Sequence, residues 1–115
     1  MLFSNIANEV NRLLAGEMLT ATELRSYLDR TIDDINSQLN SCYPAFSELD
    51  PAITDYNYFP DKYIRTVVIP GAAWYFYVTD EEGSPTAMQY SSDYSRGIFI
   101  MLRDHLYNVP EEYQA

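Results

Sequence analysis

A Pro-Gly pair in the middle of the most apolar stretch of the chain constrains the fold more than any other feature. The stretch runs from Asp61 to Pro85, DKYIRTVVIPGAAWYFYVTDEEGSP; Pro70-Gly71 splits it and the acidic run Asp80-Glu81-Glu82 closes it. Two readings compete. As a hairpin, Tyr63 to Ile69 and Trp74 to Val78 supply β-branched and aromatic strands around a Pro-Gly turn. That pair favours a type II turn, which splays hairpin strands rather than pairing them. As a helix, the block starts at Pro60-Asp61, kinks at Pro70 and ends at Gly83. An interior proline then costs about 3 kcal/mol through a lost hydrogen bond and a steric clash. The surroundings favour the helix. Helical patterns precede and follow the block, and a lone two-stranded hairpin is only marginally stable. A segment that is apolar nearly all round also suits a buried central helix.

The flanking patterns are plainer. Ile6, Val10, Leu13 and Leu14 fall at helical spacing, and Gly16 ends that segment. Thr20-x-x-Glu23 has the form of a capping box and opens a second helix. Leu24, Tyr27, Leu28, Thr31, Ile32, Ile35 and Leu39 follow one of its faces, and Pro44 stops it. On the opposite face, Arg25 with Asp29 and Arg30 with Asp34 predict local ion pairs. Residues 44–60 read as a connector in which Ser47 to Ala52 makes at most one helical turn. Tyr56, Tyr58 and Phe59 lie in an extended segment before Pro60 and are expected to staple it to the core.

In the last helix Ser84 caps, Pro85 takes the first position, and Ala87, Tyr90, Tyr94, Ile98 and Met101 form the buried stripe. Ile98 to Leu102 is apolar on more than one face, which predicts contact with a second surface. The tail LYNVPEEYQA loses periodicity, leaving Leu106, Tyr107, Val109 and Tyr113 on an extended arm expected to lie on something, often a neighbouring subunit. The expected fold is all-α: a small bundle of about four helices with its central helix kinked at Pro70-Gly71. Residues 1–105 form the helical domain and residues 106–115 the arm.

Composition narrows the chemistry. At 115 residues the chain makes one domain with a modest core. Seventeen acidic residues face seven basic ones, and Lys62 is the only lysine. That balance disfavours binding DNA by charge neutralisation. It suits solubility, a wall that DNA slides past without sticking, or mimicry of nucleic acid. Cys42 is alone, so neither an internal disulfide nor a cysteine-cluster metal site is expected, and beside Tyr43-Pro44 it reads as half-buried structure. His105 has Asp104 beside it but no nucleophile to complete a catalytic set. Asp80-Glu81-Glu82-Gly83 lacks the alternating ligands of a calcium loop, and the four glycines form no phosphate loop. No enzyme activity, cofactor or metal is expected.

Asp80, Glu81 and Glu82 read as an exposed surface turn, and because acidic residues there oppose a helix dipole they are expected to serve something outside their own helix. Eleven tyrosines and Trp74 favour core and interface packing over base stacking, which needs a basic groove. Trp74, Tyr75 and Tyr77, with Leu106, Tyr107, Val109 and Tyr113, are therefore the candidate interface residues. The start MLFSNIANEVNRLL has neither a basic stretch nor a long apolar run, so it does not read as a signal peptide. No segment reaches the roughly 20 apolar residues of a membrane span, so no membrane partner is expected and the cytoplasm is the default compartment.

Three phrases together, TATELRSYLDRTIDDINSQL, FPDKYIRTVVIPGAAWYFYVTDEEG and TAMQYSSDYSRGIFIMLRDH, resemble the small head–tail connector (adaptor, head-completion) proteins of tailed bacteriophages. The resemblance spans roughly residues 20 to 105, leaving the first helix and the tail outside it. It implies a non-enzymatic virion protein, assembled in the host cytoplasm and located in the neck. Copies would form a homo-oligomeric ring under the portal protein and meet the next tail-side connector or stopper. Double-stranded DNA would pass through during packaging and ejection without specific binding. An acidic inhibitor that mimics nucleic acid, or another small helical interaction module, is the alternative; a mimic needs its carboxylates in one regular exposed stripe, whereas here they are spread over caps and loops.

If carboxylates line such a channel, repulsion keeps the DNA sliding. Changing Asp80, Glu81 and Glu82 to Asn or Gln is then predicted to slow genome ejection. Unaltered infectivity with normal ring assembly would remove these three residues from that role.

Overall fold

The computed structural model describes residues 1–14, 18–48, 55–80, 85–104 and 109–114. Four helices account for most of them: α1 (Phe3–Leu13), α2 (Ala21–Leu39), α3 (residues 61–80) and α4 (Pro85–Arg103). Among the described residues there is no strand, only the isolated bridges Leu2↔Asp55 and Ser41↔Gln114. α3 runs through the centre and packs against α1, α2 and α4. The architecture is the all-α bundle that the sequence predicts.

Helix α3 settles the competition between hairpin and helix. It starts at Asp61, directly after Pro60 in extended conformation (ψ 146°), and continues through Pro70-Gly71 to Asp80. Its irregularity precedes the proline. Ile64–Val68 is a π-helical segment in which the Ile69 N–H reaches back to the Ile64 carbonyl. The cause lies in Pro70, which has no N–H to offer the Thr66 carbonyl four residues earlier and whose ring crowds that carbonyl in a regular α-helix. A wider turn just upstream lets the helix absorb the misfit.

That region is also where the helices come closest. A Cβ on Gly97 of α4 would stand 2.2 Å from the Thr66 carbonyl oxygen, so α4 can cross there only without a side chain. A Cβ on Gly71 would stand 2.6 Å from Thr31 Cγ2 and 2.8 Å from Tyr94 Cε1, which puts α2, α3 and α4 at one tight junction. Around it Ile32, Ile64, Val67, Val68, Ala72 and Ala73 are buried.

α2 carries its capping box as expected: Thr20 Oγ1 accepts from the Glu23 N–H at 3.2 Å and Glu23 Oε1 accepts from the Thr20 N–H at 3.2 Å. Its core stripe is buried at Leu24, Leu28, Thr31, Ile32 and Ile35. Asn40 ends it in the left-handed region at φ 52°. The predicted pairs Arg25–Asp29 and Arg30–Asp34 do not form; Arg25, Asp29 and Asp34 take partners outside α2, and Arg30 lies over the Tyr27 ring of its own helix at 6.0 Å. Asp29 accepts from the backbone N–H groups of Phe46 (2.6 Å) and Ser47 (3.3 Å), capping the 3₁₀ turn Phe46–Glu48. Arg25 lies over the Phe3 ring at 5.2 Å. A buried or capping carboxylate gains more from backbone donors than an exposed ion pair supplies.

The aromatic connector is stapled as expected. Tyr56 and Phe59 are buried, Phe46 and Tyr56 stack at 4.1 Å, and the Tyr56 hydroxyl donates to the Pro44 carbonyl at 3.0 Å. Cys42 corrects its expectation. It is exposed, because in the extended run Ser41-Cys42-Tyr43 the outer two residues turn inward and the middle one outward.

Gly97→Ala and Gly71→Ala test the crossing. Alanine in a helix interior normally stabilises by about 1 kcal/mol. Here the closeness of neighbours predicts the reverse, a loss of about 1–3 kcal/mol at Gly71 and at least as much at Gly97, where the obstacle is backbone. Denaturant unfolding of both variants measures it; unchanged or higher stability would show that the helices are not in this contact.

Candidate functional site

Helices α2, α3 and α4 enclose an open groove of about 450 Å³. Asp34 of α2, Trp74 and Tyr75 of α3, and Tyr94, Phe99 and Leu102 of α4 define it. Trp74 and Tyr75 are half-buried because they occupy the flank of α3 that α2 and α4 do not cover. Their rings lie 4.8 Å apart, and Trp74 lies 5.6 Å from Tyr94. The Tyr94 hydroxyl donates to Asp34 Oδ2 at 2.5 Å, fixing the carboxylate at the groove. On the rim, Phe99 is 59 % and Leu102 48 % exposed, a large outlay of apolar surface for so small a bundle.

Burial raises the Tyr94 hydroxyl above its ordinary value near 10, and the hydrogen bond to Asp34 adds to the rise. Tyr75 is raised by burial and by Asp34, with Arg30 opposing. At the far end of α3 burial and a hydrogen bond to Asp104 push Tyr63 up to about 12. Asp104 also pairs with Lys62 at 3.4 Å, joining the end of α4 to the start of α3.

The candidate interface residues separate. Trp74 and Tyr75 meet in the groove. Tyr77 is buried instead, and its hydroxyl donates to the Leu13 carbonyl at 3.2 Å, as does that of Tyr90 at 3.1 Å. The two tyrosines thus cap the end of α1. Val109 and Tyr113 are half-buried against the chain's own core, with Tyr113 stacked on Tyr43 at 4.8 Å. Leu106, Tyr107, His105, Glu81 and Glu82 lie outside the described residues, and Asp80 is the last helical residue of α3. Asp34, Phe99 and Leu102 are not among the candidate interface residues read from the sequence. The two-faced apolar pattern of Ile98 to Leu102 pointed to the last two; Asp34 looked like a routine ion-pair partner of Arg30.

Among the described residues no group of three or more His, Cys, Asp or Glu is placed to hold a metal ion, and no helix is long and apolar enough to cross a membrane. The groove brings together aromatic faces, an apolar rim and one fixed carboxylate. No family model matches the chain, and no curated protein or solved structure matches it either.

The raised tyrosines predict a pH dependence. A hydroxyl whose folded pKa lies above its unfolded value near 10 contributes full stability below pH 10. That contribution falls as pH rises, for Tyr63 through the window from 10 to about 12. Denaturant unfolding at pH 9 and pH 11.5 is expected to show the loss. Tyr94→Phe is expected to shrink it while costing about 1.5 kcal/mol at neutral pH, the low end for a hydrogen bond to a charged group that water also reaches. A Tyr94→Phe protein with the wild-type alkaline profile would rule out Tyr94 as a contributor.

Proposed function

We propose that the chain is a structural, non-catalytic virion protein of the head–tail connector type, acting as an adaptor at the neck of a tailed phage. Copies assemble as a ring under the portal, extend the DNA channel towards the tail, and present a surface to the next connector or stopper. The observation that carries this reading is the aromatic groove with its exposed apolar rim. Phe99 and Leu102 at 59 % and 48 % exposure favour protein association as the purpose of that surface.

Three further facts fit. The fold is a small helical bundle, as the sequence resemblance implies. The net charge of −10 multiplies around a ring into a wall that repels DNA. Val109 and Tyr113 are half-buried against the chain's own core, while Phe99 and Leu102 at the groove stay exposed.

The test is assembly. Negative-stain microscopy of the protein mixed with portal rings of its own phage is expected to show an added ring on the tail-side face. Leu102→Glu with Phe99→Ser, both at exposed positions, is expected to leave helical content unchanged and abolish the added density. Absence of the ring with wild-type protein under assembly conditions would reject the connector role.

A further inference from the structure

Helix α4 has two uncovered flanks of opposite character. Ser95, Phe99 and Leu102 recur at three- and four-residue spacing and line the groove of Asp34, Trp74 and Tyr75. Asp93, Arg96 and Ile100 recur at the same spacing on another stripe and line a smaller depression of about 270 Å³ with Thr66 and Pro70 of α3. At 3.6 residues per turn the stripes lie roughly a third of a turn apart, so they face different directions. The second depression sits over the π segment and the Gly97 crossing.

Their chemistries match. The groove offers the ring faces of Trp74 and Tyr75 beside Asp34, one of whose oxygens is held by Tyr94, leaving Oδ1 for another donor. A guanidinium suits such a site, because it stacks on aromatic faces while donating to a carboxylate. Across the molecule, Arg96 is exposed and Ile100, one turn on, is 38 % exposed. Asp93 shares that depression, and its carboxylate accepts from Gln89 Nε2 at 3.3 Å. With a net charge of −10, the chain attracts cationic groups, and one of its own few arginines stands beside an apolar residue on an open face.

We propose that the Asp34–Trp74–Tyr75 groove receives Arg96 and Ile100 of a second copy of this chain in a head-to-tail contact. The guanidinium lies against the rings and donates to Asp34, and Ile100 packs on Phe99 and Leu102. Each copy offers its groove to one neighbour and its Arg96 face to another, the kind of contact that closes into a ring. This deepens the ring reading above and rests on it.

Sedimentation equilibrium of the purified chain, with the emission of its single tryptophan followed in parallel, tests the pairing. Wild-type protein is expected to self-associate with concentration, and Trp74 emission to shift to the blue as the groove is covered. D34K and R96E are each expected to weaken association by at least about tenfold through like-charge contact. An equimolar mixture of the two is expected to associate as wild type does, because every contact between unlike copies joins opposite charges. R96E keeps the test valid even if D34K disturbs the Tyr94 bond, since Arg96 is exposed.

A wild-type chain that stays monomeric to its solubility limit overturns the pairing. Association untouched by R96E, or single variants that fail to complement each other, does so too. These failures are separable from that of the connector role. A protein that stays monomeric alone yet adds a ring to portal loses this contact and keeps that role; one that pairs through the groove and adds no ring does the reverse.

Discussion

At the crossing of α3 and α4 the Thr66 carbonyl occupies the space that any side chain on Gly97 would need, and on that contact the remaining packing is built. Pro70 sets it up by withholding the N–H that would otherwise bond this carbonyl along the helix. The π segment Ile64–Val68 widens the turn, and a glycine on the neighbouring helix leaves the room. Gly71 then brings α3 against Thr31 of α2 and Tyr94 of α4. A proline that costs a lone helix about 3 kcal/mol becomes acceptable when its misfit is spent on closer contact with two neighbours.

Much of the fold was legible in the sequence because it follows from periodicity. The apolar stripes of α2 and α4, the Thr20–Glu23 capping box, Pro85 at the first position of α4 and the aromatic staples at Tyr56 and Phe59 are local patterns with local causes. The π segment was not legible, since it depends on what α4 places beside Thr66. Nor were the roles of Asp29 and Asp34. Both sit four residues from an arginine, yet a cap on Phe46–Glu48 and the hydroxyl of Tyr94 claim them. Spacing along a helix says nothing of partners that arrive from elsewhere in the chain.

The groove was half legible. Aromatic density marked Trp74 and Tyr75, and the two-faced apolar pattern marked the end of α4. Tyr77 carries the same sequence signal as Tyr75, but two positions along a helix turn it by about 200°. It therefore caps α1 from inside while Tyr75 lines the surface.

The two isolated bridges bear on how the chain reaches and leaves its folded state. Helices α2, α3 and α4 meet at a junction built on Thr31, Gly71 and Tyr94, away from both ends of the chain. Leu2↔Asp55 and Ser41↔Gln114 instead tie the two ends of the chain to either side of the aromatic connector. Contacts at the ends of a chain are the first to open. Releasing the Tyr113 ring would uncover the faces of Tyr43 and Tyr58 that it covers, while Asp29 still caps Phe46 and the helical junction stays shut. Amide protection would then fall into two tiers, a slow one centred on Val67 to Ala73 and a fast one over residues 42–47 and 55–59.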